Sequence, residues 1–309
     1  MGFRLKSGHA ISNEIRRIVL RQLDLATSEL KAIGDPESDE AIHDARRRVK
    51  KIRAVIRLVR PVLDKQYRDG VDPELRKVSR MLAPVADGQG VIDTLNVLAR
   101  RYRKALPRRA VAALRADLIE REKRIDARAD AQHVLQKATR ALRAQRRQIK
   151  EWKLNAEGFS AIAPGLKESV RRARHAMTLA WNRPTPRHFH SWRRYVKDHW
   201  FHVRLLEAHC GNHLIPVQRR LEALDGLLGE YHNLVLLREV LLDDSALAPR
   251  DRAYCLRVVA RYQRALRQQA QILGVRTYSE KPRRFVRRVK KLWQTAKAAE
   301  HNVRTSARP

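Results

Sequence analysis

His43, Arg46, Lys50, Arg53, Arg57 and Arg60 follow one another at intervals of 3, 4, 3, 4 and 3 residues. On a helix that spacing lines six basic or protonatable side chains along one stripe. His190, Arg193, Lys197 and Arg204 repeat the pattern 147 residues later, with Trp200 in place of Arg53 and Glu207 in place of Arg60. The first stripe is longer and more purely cationic, so it is expected to supply more of the field. The chemistry open to both is anion binding. A single phosphate or carboxylate needs only one or two such residues. The first stripe extends roughly 25 Å along a helix axis, which suits a linear polyanion.

A solvated helix face is the ordinary meaning of a charge run. Such faces usually intersperse acids with bases, gaining ~0.2–0.5 kcal/mol per i,i+4 pair, and like charges at that spacing cost a similar amount. These stripes consist of the unfavourable pairs, and the second half repeats them at the matching position. His43 and His190 each open a stripe, where protonation would add charge in a pH-dependent way. Catalysis is not indicated. A phosphohydrolase with a histidine acid or nucleophile would need carboxylates to hold a metal, and Glu207 at the far end is the only one on either stripe. His199 with His202, and His209 with His213, have i,i+3 and i,i+4 spacing, but no Asp, Glu or Cys arrangement completes a ligand set. No metal or cofactor is expected.

The elements that position the stripes read as helices throughout. Ile11, Ile15, Ile18, Val19, Leu23, Ala26 and Leu30 predict a first helix from about residue 12 to 33, stopped by Gly34-Asp35-Pro36. Ser38 or Asp39 caps a second, which carries the first stripe to Arg60 before Pro61. Its apolar positions Ile42, Ala45, Val49, Ile52, Ile56 and Val59 lie one residue earlier than the basic ones, about 100° away around the axis. A third segment starts at Asp72-Pro73-Glu74, breaks at Ala83-Pro84 and at residues 87–90, and resumes from Val91 to Leu106. Pro107 opens a pair of Arg- and Ala-rich helices reaching Trp152. No alternating strand is evident, so the class is all-α.

Gly158, Pro164 and Gly165 mark a linker over 155–165, separating a first half at 10–154 from a second at 166–297. The halves match at Ile42–Lys50 with Phe189–Lys197, at Arg146–Trp152 with Arg287–Trp293, and at Ile15-Arg16-Arg17 with Val170-Arg171-Arg172. Three matches in the same order predict a duplication: two four-helix-type bundles related by a pseudo-twofold axis around a basic central groove or pore. Arg17 and Arg21 with Arg172, and Arg147 and Lys150 with Arg288 and Lys291, are candidates to line it from neighbouring helices. For each of these a solubility role at the surface is the alternative.

Composition narrows the partner. The chain has 309 residues and 67 Lys plus Arg against 33 Asp plus Glu, a formal charge of +34, with 43% hydrophobic residues. That is enough apolar content for a core, and the charge is spread rather than confined to a tail. No apolar run approaches the ~20 residues of a membrane span, and no signal-peptide pattern opens the chain, so a cytoplasmic protein without membrane insertion is expected. Cys210 and Cys255 form no CxxC pair and read as small core residues.

His43-x-x-Arg46-x-x-x-Lys50-x-x-Arg53 and His190-x-x-Arg193-x-x-x-Lys197, with Leu228-Gly229-Glu230-Tyr231-His232-Asn233, resemble the CHAD (conserved histidine α-helical domain) family. The likeness runs from about residue 10 to 295. In the first half, Leu82–Asp87 keeps the aspartate of the last motif but has Ala86 where a basic residue is common. What the resemblance implies is a pseudo-symmetric helical protein that binds inorganic polyphosphate in its central groove, places His232 there, and associates with polyphosphate granules. Some relatives carry a CYTH triphosphatase. Its ExExK motif is not matched by Glu120-Arg121-Glu122-Lys123, where the lysine comes one place early in a helical stretch, so no attached enzyme is expected. The alternative partner is nucleic acid, bound non-specifically. The 6% aromatic content and the lack of a helix-turn-helix, RRM or zinc-finger pattern weigh against it.

Overall fold

The computed structural model describes residues 3–31, 38–83, 88–126, 130–243 and 247–306. They form α1 (Ile11–Lys31), α2 (Ser38–Val59), α3 (Lys65–Arg68), α4 (Val71–Met81), α5 (Gly88–Arg101), α6 (Arg108–Asp126) and α7 (Asp130–Lys150). After a 3-10 turn at Gly158–Ala161 come α8 (Ala163–Asn182), α9 (Pro186–Leu205), the single turn α10 (Glu207–Cys210), α11 (Ile215–Asp243), α12 (Pro249–Thr277) and α13 (Pro282–Ser306). The described residues contain no strand, only one isolated bridge between Leu63 and Leu154, so the chain is all-α. Several boundaries differ from those read in the sequence. α4 begins at Val71, placing Pro73 within its first turn, where a missing N–H costs no helical bond. α5 starts at Gly88 and ends at Arg101, short of Leu106.

In the first half α1, α2, α4 and α7 pack in a ring, each on its neighbour. In the second, α8 packs on α9 and α13, and α9 on α11, repeating the neighbours of α1 and α2. α2 and α9 meet each other, and α2 also packs on α8. One core of buried side chains extends through both halves, from Phe3 and Leu5 to Val289 and Trp293. Both cysteines are buried in it and unpaired.

The apolar positions expected on α2, from Ile42 to Val59, are buried, each worth about 1.5–3 kcal/mol for the larger side chains. Ala54, Val55 and Leu58 are also fully buried, although the pattern assigned them no face. A helix that packs on α8 and α9 as well as on α1 and α4 buries more than one face. There α8 comes so close that a Cβ at Gly165 would stand 1.8 Å from the Leu58 carbonyl oxygen, so only glycine fits. The segment read as a linker, 155–165, therefore ends inside α8, with Phe159, Ala161 and Ile162 buried in the common core.

Candidate functional site

Thr185 starts α9 by accepting the His188 amide at its hydroxyl, and Pro186 follows at the first helical position with φ already preset. That start puts His190, Arg193 and Lys197 on the α2 side. Lys50, Arg53 and Arg57 of α2 and His190, Arg193 and Lys197 of α9 line one cavity of about 160 Å³, with Arg194, Ser79, Asp198 and Phe201. Parts of the two stripes therefore meet across a shared space. With Arg194 counted, each helix brings three Arg or Lys side chains to the cavity and α9 adds His190, so at this cavity the first stripe does not dominate as its length had implied.

Carboxylates hold most of these cations in place. Arg57 grips Asp198 with two hydrogen bonds, Nε to Oδ2 at 2.8 Å and Nη2 to Oδ1 at 2.6 Å, joining α2 to α9. Asp72 of α4 takes a bond from Arg53 Nε at 2.8 Å and another from Arg57 Nη1 at 3.2 Å. Burial opposes charge on Arg57, but Asp198 and Asp72 more than offset it and its pKa is raised. Burial likewise opposes ionisation of Asp72, and Arg53 and Arg57 overcome it to lower its pKa. On the other side Lys197 Nζ donates to Asp225 at 2.9 Å, and the Arg193 Nε lies 3.7 Å from the same carboxylate, an ion pair without a hydrogen bond. Six cations around the cavity meet three carboxylates, leaving a net positive surplus.

The Leu228-Gly229 motif has a geometric reason. Arg193 lies against Gly229, where an added Cβ would come within 3.2 Å of its guanidinium. His232 brings its ring to 4.9 Å from that of His190, and Asn233 donates to the Gly90 carbonyl of α5 at 3.1 Å. The first-half counterpart of this motif, at 84–87, lies outside the described residues.

The remaining sequence candidates divide. His43 is exposed at the start of the stripe and Arg46 half-buried; neither lines the cavity. Burial, then Lys50, Arg46 and Arg47, push the His43 pKa down, so it adds little charge at neutral pH without an anion. Arg204 lies 5.1 Å over the Trp200 ring, outside the cavity. Arg17 is held by Glu14 at 2.7 and 2.6 Å and by the Arg4 carbonyl, and Arg288 by Glu280 at 2.9 Å. Arg172 pairs with Glu168 at 2.6 Å and lines a second cavity of about 330 Å³ with Arg60 and Arg68, whose wall includes Arg57 and Asp198. Arg21, Arg147, Lys150 and Lys291 are exposed and line neither space.

Four of the five acid and small residues that shape the site, Asp72, Asp198, Asp225 and Ser79, were missed in the sequence because no stripe contains them; Gly229 alone was marked by its motif. The paired histidines are not ligand sets. His199 is buried against Tyr278 and Phe285, His202 Nε2 donates to the Ala54 carbonyl at 2.8 Å, and His209 stacks on Trp293 at 3.8 Å. Among the described residues no three His, Cys, Asp or Glu side chains are placed to share a metal ion, and no helix is long and apolar enough to cross a membrane.

No curated protein matches this chain. Among solved structures, PptA from Streptomyces chartreusis has a similar fold, with a TM-score of 0.64 over 87% of this chain and 99% of that one, at 18% sequence identity. A family model of the CHAD domain matches residues 17–242, from α1 to the end of α11, and thus includes both stripes and the cavity between them. The chain belongs to the CHAD domain family.

Proposed function

We propose that this protein is a non-catalytic binder of inorganic polyphosphate, which it holds in the cavity between α2 and α9. The observation that carries the reading is the convergence of Lys50, Arg53 and Arg57 with His190, Arg193 and Lys197 on one space with a net positive charge. The CHAD resemblance points to the same polymer. The matching helix neighbours in the two halves support their origin by duplication, with α2 and α9 as equivalent helices at the centre. Arg46, Arg204 and the exposed cations of α1, α7 and α13 act outside the cavity, adding to a field that draws in the polymer. Such a field would also keep the protein on a polyphosphate granule in the cytoplasm.

Binding is electrostatic, with protein cations replacing condensed counterions, so affinity falls steeply with salt. The test is titration with long-chain polyphosphate at several salt concentrations. Lys50→Ala, Arg193→Ala and Lys197→Ala together are expected to weaken binding by about a hundredfold or more and to flatten the salt dependence. An unchanged affinity in that variant would sink the reading. Single-stranded RNA displacing polyphosphate at equal phosphate concentration would favour nucleic acid as the partner. Phosphate release from the polymer with added Mg²⁺, abolished by His190→Ala, would make the protein an enzyme.

A further inference from the structure

Away from the α2–α9 cavity, the hairpin of α5 and α6 forms an open groove of about 950 Å³. Arg100, Arg103 and Lys104 line it from α5 and the turn that follows, Arg108 and Arg115 from α6, and Asn96 completes the polar lining. Among the described residues, no carboxylate and no aromatic residue lines it. All five cations are exposed. Among the described residues, Arg100, Arg103, Lys104 and Arg108 have no ion-pair partner, and Arg115 donates to Asn96.

Some exposed bases elsewhere are matched by acids one turn away, as in Arg121 with Asp117, Lys77 with Glu74, and Arg171 with Glu168. With 67 bases to 33 acids many others are not, and what sets the groove apart is that five cations surround one concave space. The cations at the end of α5 are favoured by the negative end of its dipole, but Arg108 opens α6 at its positive end, where the first turn has no acid, while Arg109 beside it is held by Asp251 at 3.2 Å. A cation there costs about 0.3–1 kcal/mol where an acid would stabilise. Free N–H groups of the first turn of a 19-residue helix add to the pull on an anion.

We propose that this groove is a second binding site for the same phosphate polymer, a proposal that rests on the polyphosphate reading of the central cavity. A chain without bases is favoured over nucleic acid because the groove offers no aromatic platform on which bases could stack. α5 connects the two sites. Near its start, Gly90 touches Asn233, next to the His232 that faces His190 at the cavity, and its end opens on the groove. Its 14 residues span roughly 20 Å. A polymer leaving the cavity past His190 and His232 can follow α5 into the groove, and a chain that fills both sites gains affinity from the tether between them. A short oligophosphate occupies only one.

The test uses the full chain, with tripolyphosphate and long-chain polyphosphate as ligands. Charge reversal at three groove positions, Arg103→Glu, Lys104→Glu and Arg108→Glu, is compared with the cavity variant Lys50→Ala/Arg193→Ala/Lys197→Ala, with circular dichroism checking the fold. If the reversed variant does not fold, alanine at the same three positions replaces it. The groove variant is expected to lose about tenfold or more in long-chain affinity, and about 2 units of the log K against log salt slope, while tripolyphosphate still binds the cavity. Unchanged long-chain affinity and slope would overturn the proposal. A cavity variant that binds both ligands like the parent would sink the function proposed above but leave the groove standing. In that cavity variant, RNA binding the groove as tightly as polyphosphate of equal phosphate content would overturn the choice of a base-free chain.

Discussion

In α2 the lower part of the stripe, Arg53 and Arg57, is fixed by Asp72 and Asp198, whereas in α9 the upper part, Arg193 and Lys197, is fixed by Asp225. The equivalent positions further along α9 are Trp200 and Arg204, which stack on each other rather than reaching the cavity. Opposite the α9 pair stands a carboxylate, while the same cavity has Ser79 on the α4 side. The buried faces differ too. His199 and His202 of α9 take the positions that Ile52 and Val55 have in α2, and His202 uses its place to bond the α2 backbone at Ala54. Two helices with the same pattern thus reach the same space with different supports. The pattern places the cations, and the acids of other helices determine how much of each charge is left for a ligand.

The largest effect is expected from breaking the link between the two helices. Arg57→Ala leaves Asp198 buried without its partner and should cost about 3–5 kcal/mol in chemical denaturation. Most of the loss should return on adding Asp198→Asn, and a double-mutant cycle without coupling would show that the pair does not hold α2 to α9. Next comes acid stability, which sets α9 apart from α2. Burial pushes His199 down to about 3, with His202 adding to the effect, and burial pushes His202 down to about 4. Both therefore stay neutral in the folded state while the unfolded chain takes up protons below about pH 6.5. Stability should fall as pH drops from about 6.5 toward 4, by up to about 1.4 kcal/mol per pH unit for each histidine. His199→Ile, which copies α2, should flatten this slope, and an unaltered slope would remove His199 as its source.

A smaller effect should come from exchanging the acids. Ser79→Asp puts a carboxylate into the α4 side of the cavity and should weaken polyphosphate binding by about tenfold at low salt, while Asp225→Asn should strengthen it by a similar factor. Equal affinities in the two variants would mean that these carboxylates do not set the field. The smallest concerns His43. Its pKa is lowered by burial and by Lys50, Arg46 and Arg47, so a polyanion that neutralises those cations raises it and binding takes up a proton. Affinity should then rise a few-fold as pH falls below the ordinary histidine value of about 6.5, and His43→Ala should remove that part of the rise. A pH profile identical to the parent's would count against it.

Much of this was legible in residue order. The buried face of α2 from Ile42 to Val59 follows the period of a helix, and Pro61 marks an end and Pro107 a start that the structure keeps. The stripes are legible for the same reason. Gly165 misled as a chain breaker because its backbone contact with Leu58 is more than a hundred residues distant in sequence. Ala54, Val55 and Leu58 carried no face because a helix packed on two sides shows no single stripe. Asp72, Asp198 and Asp225 were invisible as site residues because a carboxylate becomes a partner only when packing brings its helix within about 4 Å of the cation.

The amino-acid order by itself determined the helical class, the two cationic stripes and the surplus of +34, since periodicity and composition are local properties of the chain. The tertiary structure alone decided which of the cations share a cavity, which are held by acids, and which, among the described residues, remain without ion partners in the α5–α6 groove. Those outcomes depend on distances between side chains far apart in sequence, and electrostatic energy depends on distance and burial rather than on order along the chain.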